Sequence, residues 1–265
     1  MNPFFFGSSD KQLFGVHHPP EGVEVRDAAV LLCPSIGHEY MAAHGSLTQL
    51  GNHLARQGMH VLRFDFYGTG DSAGDIDDSS LEQWIEDVDT AAQELRDTSG
   101  ARKISAVGLR LGASIASMAG ARGTELFASV LWEPVVTGAD FIHDLETIEE
   151  KWLGAMYLRP PRDIEGCDGP EVMGHLIPQK ILDAVREIDL MALSGRPAER
   201  ILLMQNTEGD HLAGLQSALS TESNGVAHET VLSNEAWFGE HWATLAMPPV
   251  EVIREIAQWM RGAYS

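Results

Sequence analysis

Between residues 28 and 133, short apolar runs alternate with segments whose apolar positions recur at helical spacing, and this alternation constrains the fold more than any other feature. Residues 28–33, 59–66, 103–108 and 126–133 read as strands. Residues 45–57, 81–97 and 111–121 read as helices. Gly58 ends the first, and Ser79 or Ser80 caps the second, which has acids in its first turn. Buried strands separated by amphipathic helices predict a mostly parallel sheet covered on both faces. Residues 12–17 add a strand upstream. Residues 200–205 and 226–232 resume the sheet, and an amphipathic helix runs from about 248 to 262.

Residues 138–198 break the alternation. They are helical in places, carry Pro160-Pro161 and stand between two sheet strands. An insertion of this length predicts a cap over the strand ends, within a single domain spanning 1–265. There is no internal repeat and no low-complexity tract.

Composition narrows the function. A hydrophobic content of 44% supplies a large core, while the net charge of −21, with only 18 Lys and Arg and no basic cluster, argues against nucleic acid and anionic membranes as partners. Cys33 lies in an apolar run and Cys167 in a loop-like stretch, so no disulfide framework is expected. Residues 1–7 lack a basic leader and a long apolar run, and no stretch approaches the ~20 residues of a membrane span. These readings point to a cytoplasmic protein. No compact His, Asp or Cys spacing predicts a metal, and no cofactor is expected.

Four turns fall at the ends of predicted strands: Pro34-Ser35-Ile36-Gly37, Asp65-Phe66-Tyr67-Gly68-Thr69-Gly70-Asp71-Ser72, Val107-Gly108-Leu109-Arg110-Leu111-Gly112-Ala113, and Gln205-Asn206-Thr207-Glu208-Gly209-Asp210. His241 lies ahead of Pro248 and the last helix. In this order the set resembles the α/β-hydrolase fold, and most closely the serine aminopeptidase-like group. Within that group the sequence is similar to the exosortase A system-associated hydrolases, through Phe4-Phe5-Phe6-Gly7, Gly37-His38-Glu39-Tyr40-Met41, Arg63–Ser72 and Gly108-Leu109-Arg110-Leu111-Gly112. The resemblance implies an eight-stranded, mostly parallel sheet with a helical cap. It also implies that the turn at 108–112 is a nucleophile elbow, G-x-S-x-G, with Arg110 in place of the serine. The Pro34–Gly37 turn takes the place of the loop that donates an oxyanion-hole amide, and Leu111 follows the elbow position. Asp210 and His241 take the places of the triad acid and base.

An arginine cannot form an acyl-enzyme. Its guanidinium stays protonated and has donors only. It can pair with a carboxylate or phosphate through two parallel bonds, or stabilise a developing oxyanion. Equally, Arg110 can fold back onto an acid, with Glu39, Glu133, Asp210 and Glu240 as the candidates. The two roles are compatible, because a paired arginine can still hold a substrate.

The other candidates carry open alternatives. Ser35, Ile36, Gly37, Glu39, Tyr40 and Leu111 border the expected pocket, although Glu39 and Tyr40 also suit a helix start. His38 reads as a solvent-edge residue. Glu133 ends a strand at the edge where α/β ligand sites lie. Asp210 is a triad acid or a helix N-cap. His241 is a general base or a packed neighbour of Trp242, and Trp237 belongs to an aromatic rim or to the core. Ser35, Cys33 and Ser114 are the possible displaced nucleophiles. Together these predict an enzyme acting on a small or medium carbonyl substrate (an ester, thioester or amide), with an anionic compound or a carrier-bound acyl group among the candidates. Arg110 would anchor it, and Asp210 would orient His241. The alternatives are proton transfer, elimination or acyl transfer at the same site, and a non-catalytic ligand-binding protein. The oligomeric state stays open.

Overall fold

The computed structural model describes residues 1–21, 25–155, 168–221, 225–233, 237 and 247–264. Its centre is a sheet of eight strands in the order β1 (Asn2–Phe6), β2 (Leu13–His18), β4 (His60–Phe64), β3 (Ala29–Cys33), β5 (Ile104–Leu109), β6 (Ala128–Trp132), β9 (Arg200–Gln205) and β10 (Val226–Thr230). β1–β2 and β2–β4 pair antiparallel; the other five pairings are parallel. This is the mostly parallel α/β-hydrolase sheet expected from the sequence. β1, built on Phe4-Phe5-Phe6, is the strand that local periodicity does not reveal.

Two apolar cores lie on opposite faces of the sheet, and the pleat divides the side chains between them. In β3, which is fully buried, Ala29, Leu31 and Cys33 join one core, while Val30 and Leu32 join the other. The first core is covered by α2 (Leu81–Ser99) and α3 (Leu111–Ala121), the second by α1 (Gly37–Arg56) and α7 (Val250–Ala263). α2 begins as the sequence predicts, with the Ser80 hydroxyl accepting the Gln83 amide at 3.1 Å, and it ends at Gly100 with φ 68°.

α1 starts at Gly37, eight residues ahead of the expected helix start at 45. Glu39 occupies its first turn, where a carboxylate suits the helix dipole, and pairs with a cation outside the helix.

The segment between β6 and β9 contributes α4 (Gly138–Ala155), a short hairpin of β7 (Glu171–Val172) and β8 (His175–Leu176), and α5 (Gln179–Arg186). Within it α4 packs on α5 and β7. Its contacts with the rest of the molecule include α5 against α2 and β8 against α1. Pro160-Pro161 and Cys167 lie outside the described residues. A short helix, α6 (Ala213–Leu219), follows β9. Among the described residues no helix is long and apolar enough to cross a membrane.

Candidate functional site

Three turns at the C-terminal edge of the sheet converge at the end of β5. Arg110 stands between β5 and α3 with φ 52° and ψ −124°, a backbone region that side-chain-bearing residues avoid. The glycines on either side allow it. A Cβ on Gly112 would lie 2.1 Å from the Pro34 carbonyl oxygen, and one on Gly108 would lie 2.3 Å from Ala113 Cα. The turn is therefore pressed against the end of β3. Glu133, just past β6, also has a positive φ, of 43°. The two strained residues are neighbours, because Leu109 pairs with Trp132 and the Arg110 amide donates to the Trp132 carbonyl at 3.0 Å.

The Arg110 side chain is nearly buried, at 14% exposure. Its Nε donates to Glu39 Oε1 at 2.9 Å, and Ser35 Oγ donates to Glu39 Oε2 at 2.5 Å. Nη2 lies 3.6 Å from Asp144 Oδ2 on α4. The guanidinium carbon is 5.7 Å from the centre of the Phe141 ring and 5.4 Å from that of Trp237. Burial works against the charge, but Glu39, with Asp144 and Glu133 further away, more than offsets it and holds the guanidinium above its ordinary range. Arg110 does fold back on an acid, and the acid is Glu39.

Glu133 forms the second half of the site. Its Oε1 accepts the Asn206 amide at 2.6 Å and the Thr207 amide and hydroxyl at 3.2 and 3.3 Å, while Oε2 lies 3.0 Å from His211 Nε2. Trp132 Nε1 donates to Asn206 Oδ1 at 2.8 Å and locks the same loop. His211 is 43% exposed, so the pair opens to solvent.

The remaining predicted residues take other places. Ile36 is the buried N-cap residue of α1, and Gly37 opens the helix with φ 57°. Leu111 opens α3, so its amide belongs to a first turn that has no partner within the helix. The Tyr40 hydroxyl donates to Asp65 Oδ1 at 2.8 Å, and Asp65 Oδ2 accepts the Asp71 amide at 3.0 Å. Tyr40 thus secures the glycine turn, where a Cβ on Gly70 would lie 2.3 Å from Asp65 Oδ2. Asp210 is exposed on the loop before α6, and the residue of that loop which reaches a carboxylate is its neighbour His211. His241, Phe238, Glu240 and Trp242 lie outside the described residues. His38 is partly buried: its Nε2 is shielded and has no hydrogen-bond partner among the described residues, and burial lowers its pKa.

Two of the possible displaced nucleophiles are structural. Ser114 Oγ donates to the Val135 carbonyl at 2.7 Å, and burial pushes the Cys33 thiol up to about 12. Sequence reasoning missed Phe141 and Asp144. Their spacing of three on α4 places them on one face, but nothing local shows that this face meets Arg110. Among the described residues no group of three or more His, Cys, Asp or Glu could hold a metal ion.

A family model described as serine aminopeptidase, S33, matches residues 26–163, just over half of the chain. The chain belongs to that family of α/β hydrolases. A comparison with curated protein sequences finds no match. Solved α/β-hydrolase structures superpose over nearly the whole chain. Est1E from Butyrivibrio proteoclasticus with bound ferulic acid has a TM-score of 0.69 at 14% identity, covering 98% of each chain. A soluble variant of monoglyceride lipase from Saccharomyces cerevisiae in complex with a substrate analogue has a TM-score of 0.65 at 12% identity, covering 100% of this chain and 95% of that one. XC6422 from Xanthomonas campestris, an α/β serine hydrolase without a lid, has a TM-score of 0.60 at 14% identity, covering 99% and 92%. Identities this low establish the fold and nothing finer. The family makes a hydrolase-type function the expectation for this chain, and fold membership leaves the chemistry to the residues of the site.

Proposed function

We propose that this protein is an atypical α/β-hydrolase-fold enzyme that acts on a small or medium carbonyl substrate without a serine nucleophile at the β5–α3 turn. The observation that carries the reading is Arg110 itself. It occupies a strained, glycine-flanked turn between β5 and α3, its charge is held by Glu39, and two aromatic rings lie close to its guanidinium; we read this turn as the one that carries the serine in the family's active members. A fixed, charged donor at that point can anchor an anionic substrate or polarise a carbonyl, as oxyanion-hole donors do. The segment at 138–198 acts as a cap that sets which substrate enters. A histidine then activates water directly. His241, oriented by Asp210, is the base that the order of motifs assigns; His211 on Glu133 is the histidine that a described carboxylate already orients.

Turnover of a panel of activated esters and thioesters tests this, with Arg110→Gln, His241→Ala and His211→Ala compared in parallel. The reading expects loss with the arginine variant and with one of the histidine variants. Turnover unchanged in Arg110→Gln, or in both histidine variants, would refute it. Product that is eliminated or isomerised without uptake of solvent oxygen would move the chemistry to proton transfer at the same site.

A further inference from the structure

Arg110 divides its surroundings into an inner and an outer side. On the inner side Nε and Glu39 make a hydrogen-bonded pair beneath the turn, and Glu39 is only 1% exposed. On the outer side the partner is of a different kind. Asp144 approaches Nη2 at 3.6 Å, beyond hydrogen-bonding distance, and its side chain is 58% exposed. It is a loose, hydrated counter-charge that can leave without uncovering a buried group. Phe141, one helical turn before Asp144 on α4, and Trp237 also lie close to the guanidinium, and both rings are nearly fully buried. A carboxylate opposite a guanidinium, with aromatic walls beside it, is the arrangement in which arginine holds an organic acid.

We propose that the outer side of Arg110 is a binding site for a carboxylate joined to an apolar or aromatic body, and that Asp144 occupies the carboxylate's place until the ligand displaces it. Glu39 keeps the guanidinium charged and oriented throughout, so the ligand meets a preformed fork. Asp144 competes with the ligand and sets its affinity. Because α4 carries both Asp144 and Phe141, release of Asp144 frees the helix to settle on the bound apolar group. The inference rests on reading Arg110 as ligand-facing, and it names the substrate class for that reading.

Calorimetric titration of the full chain with phenylacetate and hexanoate, against phenylacetamide and hexanamide, tests it in wild type, Asp144→Asn and the double variant Glu39→Gln/Arg110→Gln. Asp144 is exposed, so its variant keeps the fold. The double variant removes both charges together and leaves neither one buried alone. The acids are expected to bind with about millimolar affinity, roughly tenfold more tightly than the amides. Asp144→Asn tightens the acids about two- to fivefold and leaves the amides unchanged, as removal of an exposed competing ion pair should. In the double variant the preference for acids disappears. Equal binding of acids and amides would overturn the inference. So would an Asp144→Asn effect that is absent or common to both series, or failure of the acids to saturate Asp144→Asn at tens of millimolar. Ester turnover without a preference for acids would leave the enzyme reading standing and remove this one. Acid binding that Asp144→Asn tightens, without turnover, would do the reverse.

Discussion

Glu39 lies beneath Arg110 and divides its two carboxylate oxygens between Arg110 Nε, at 2.9 Å, and the Ser35 hydroxyl, at 2.5 Å. The pair is buried on the Glu39 side, so removing one member leaves the other charge poorly solvated. Glu39→Gln is expected to lower stability by about 3 kcal/mol, and Glu39→Gln/Arg110→Gln by clearly less than the sum of the two single changes. Urea unfolding midpoints measure this. Additive losses would mean that the two groups do not act as a pair.

Glu133 makes a different demand on its neighbours. Glu133→Ala strands the Asn206 and Thr207 amides and should cost roughly 3 kcal/mol, whereas His211→Ala removes only a half-exposed partner and should cost under about 1 kcal/mol. Comparable losses from the two variants, in thermal or urea unfolding, would contradict this account of the loop.

The glycine turn gives a steric prediction. Gly112→Ala would drive its methyl group into the Pro34 and Cys33 carbonyl oxygens, which are backbone atoms and cannot step aside. The loss expected is ~3 kcal/mol or more, read as a lowered midpoint or as insoluble protein. Gly154→Ala, where a Cβ would meet nothing within 4 Å, is the control and should change stability little.

Much of this architecture was legible in the sequence because it is local. Alternating apolar runs specify the central strands, and Gly108 and Gly112 mark a turn too tight for side chains. The long-range pairings were not legible. β1 is a strand because β2 pairs with it, the early start of α1 brings Glu39 to Arg110, and Asp144 reaches Arg110 only through the packing of α4. The sequence order drew attention to Asp210, whereas the fold delivers its neighbour His211 to Glu133.

Acid stability should depend on histidines that folding keeps neutral, above all the buried His17 and His18. Burial, followed by the charge of Arg63, holds His18 down at about 4, and burial also lowers His17, His38, His44, His60 and His175. A histidine whose pKa is depressed by folding takes up protons more readily when unfolded. Its contribution is therefore complete above about pH 6.5 and is lost as the pH falls towards 4. For His18 this is worth ~3 kcal/mol if the ring is fully shielded, and about half that with residual screening. Asp87, raised to about 6 by burial, acts in the opposite sense, adding stability as the pH falls from 6 to its unfolded value near 4. Stability measured by urea unfolding should therefore fall as the pH drops below about 6.5, with Asp87 offsetting part of that fall between about pH 6 and 4. His18→Gln should reduce the fall between about pH 6.5 and 4, and Asp87→Asn should steepen it below about pH 6. A flat profile from pH 7 to 5 would contradict the assignment.

The central claim is that this fold works through Arg110 and not through a serine. Intact-mass measurement after fluorophosphonate treatment, on the same sample used for ester turnover, tests it most directly. The account predicts no adduct, turnover indifferent to the reagent, and loss of that turnover in Arg110→Gln. One stoichiometric adduct on a serine, with turnover abolished, would contradict it.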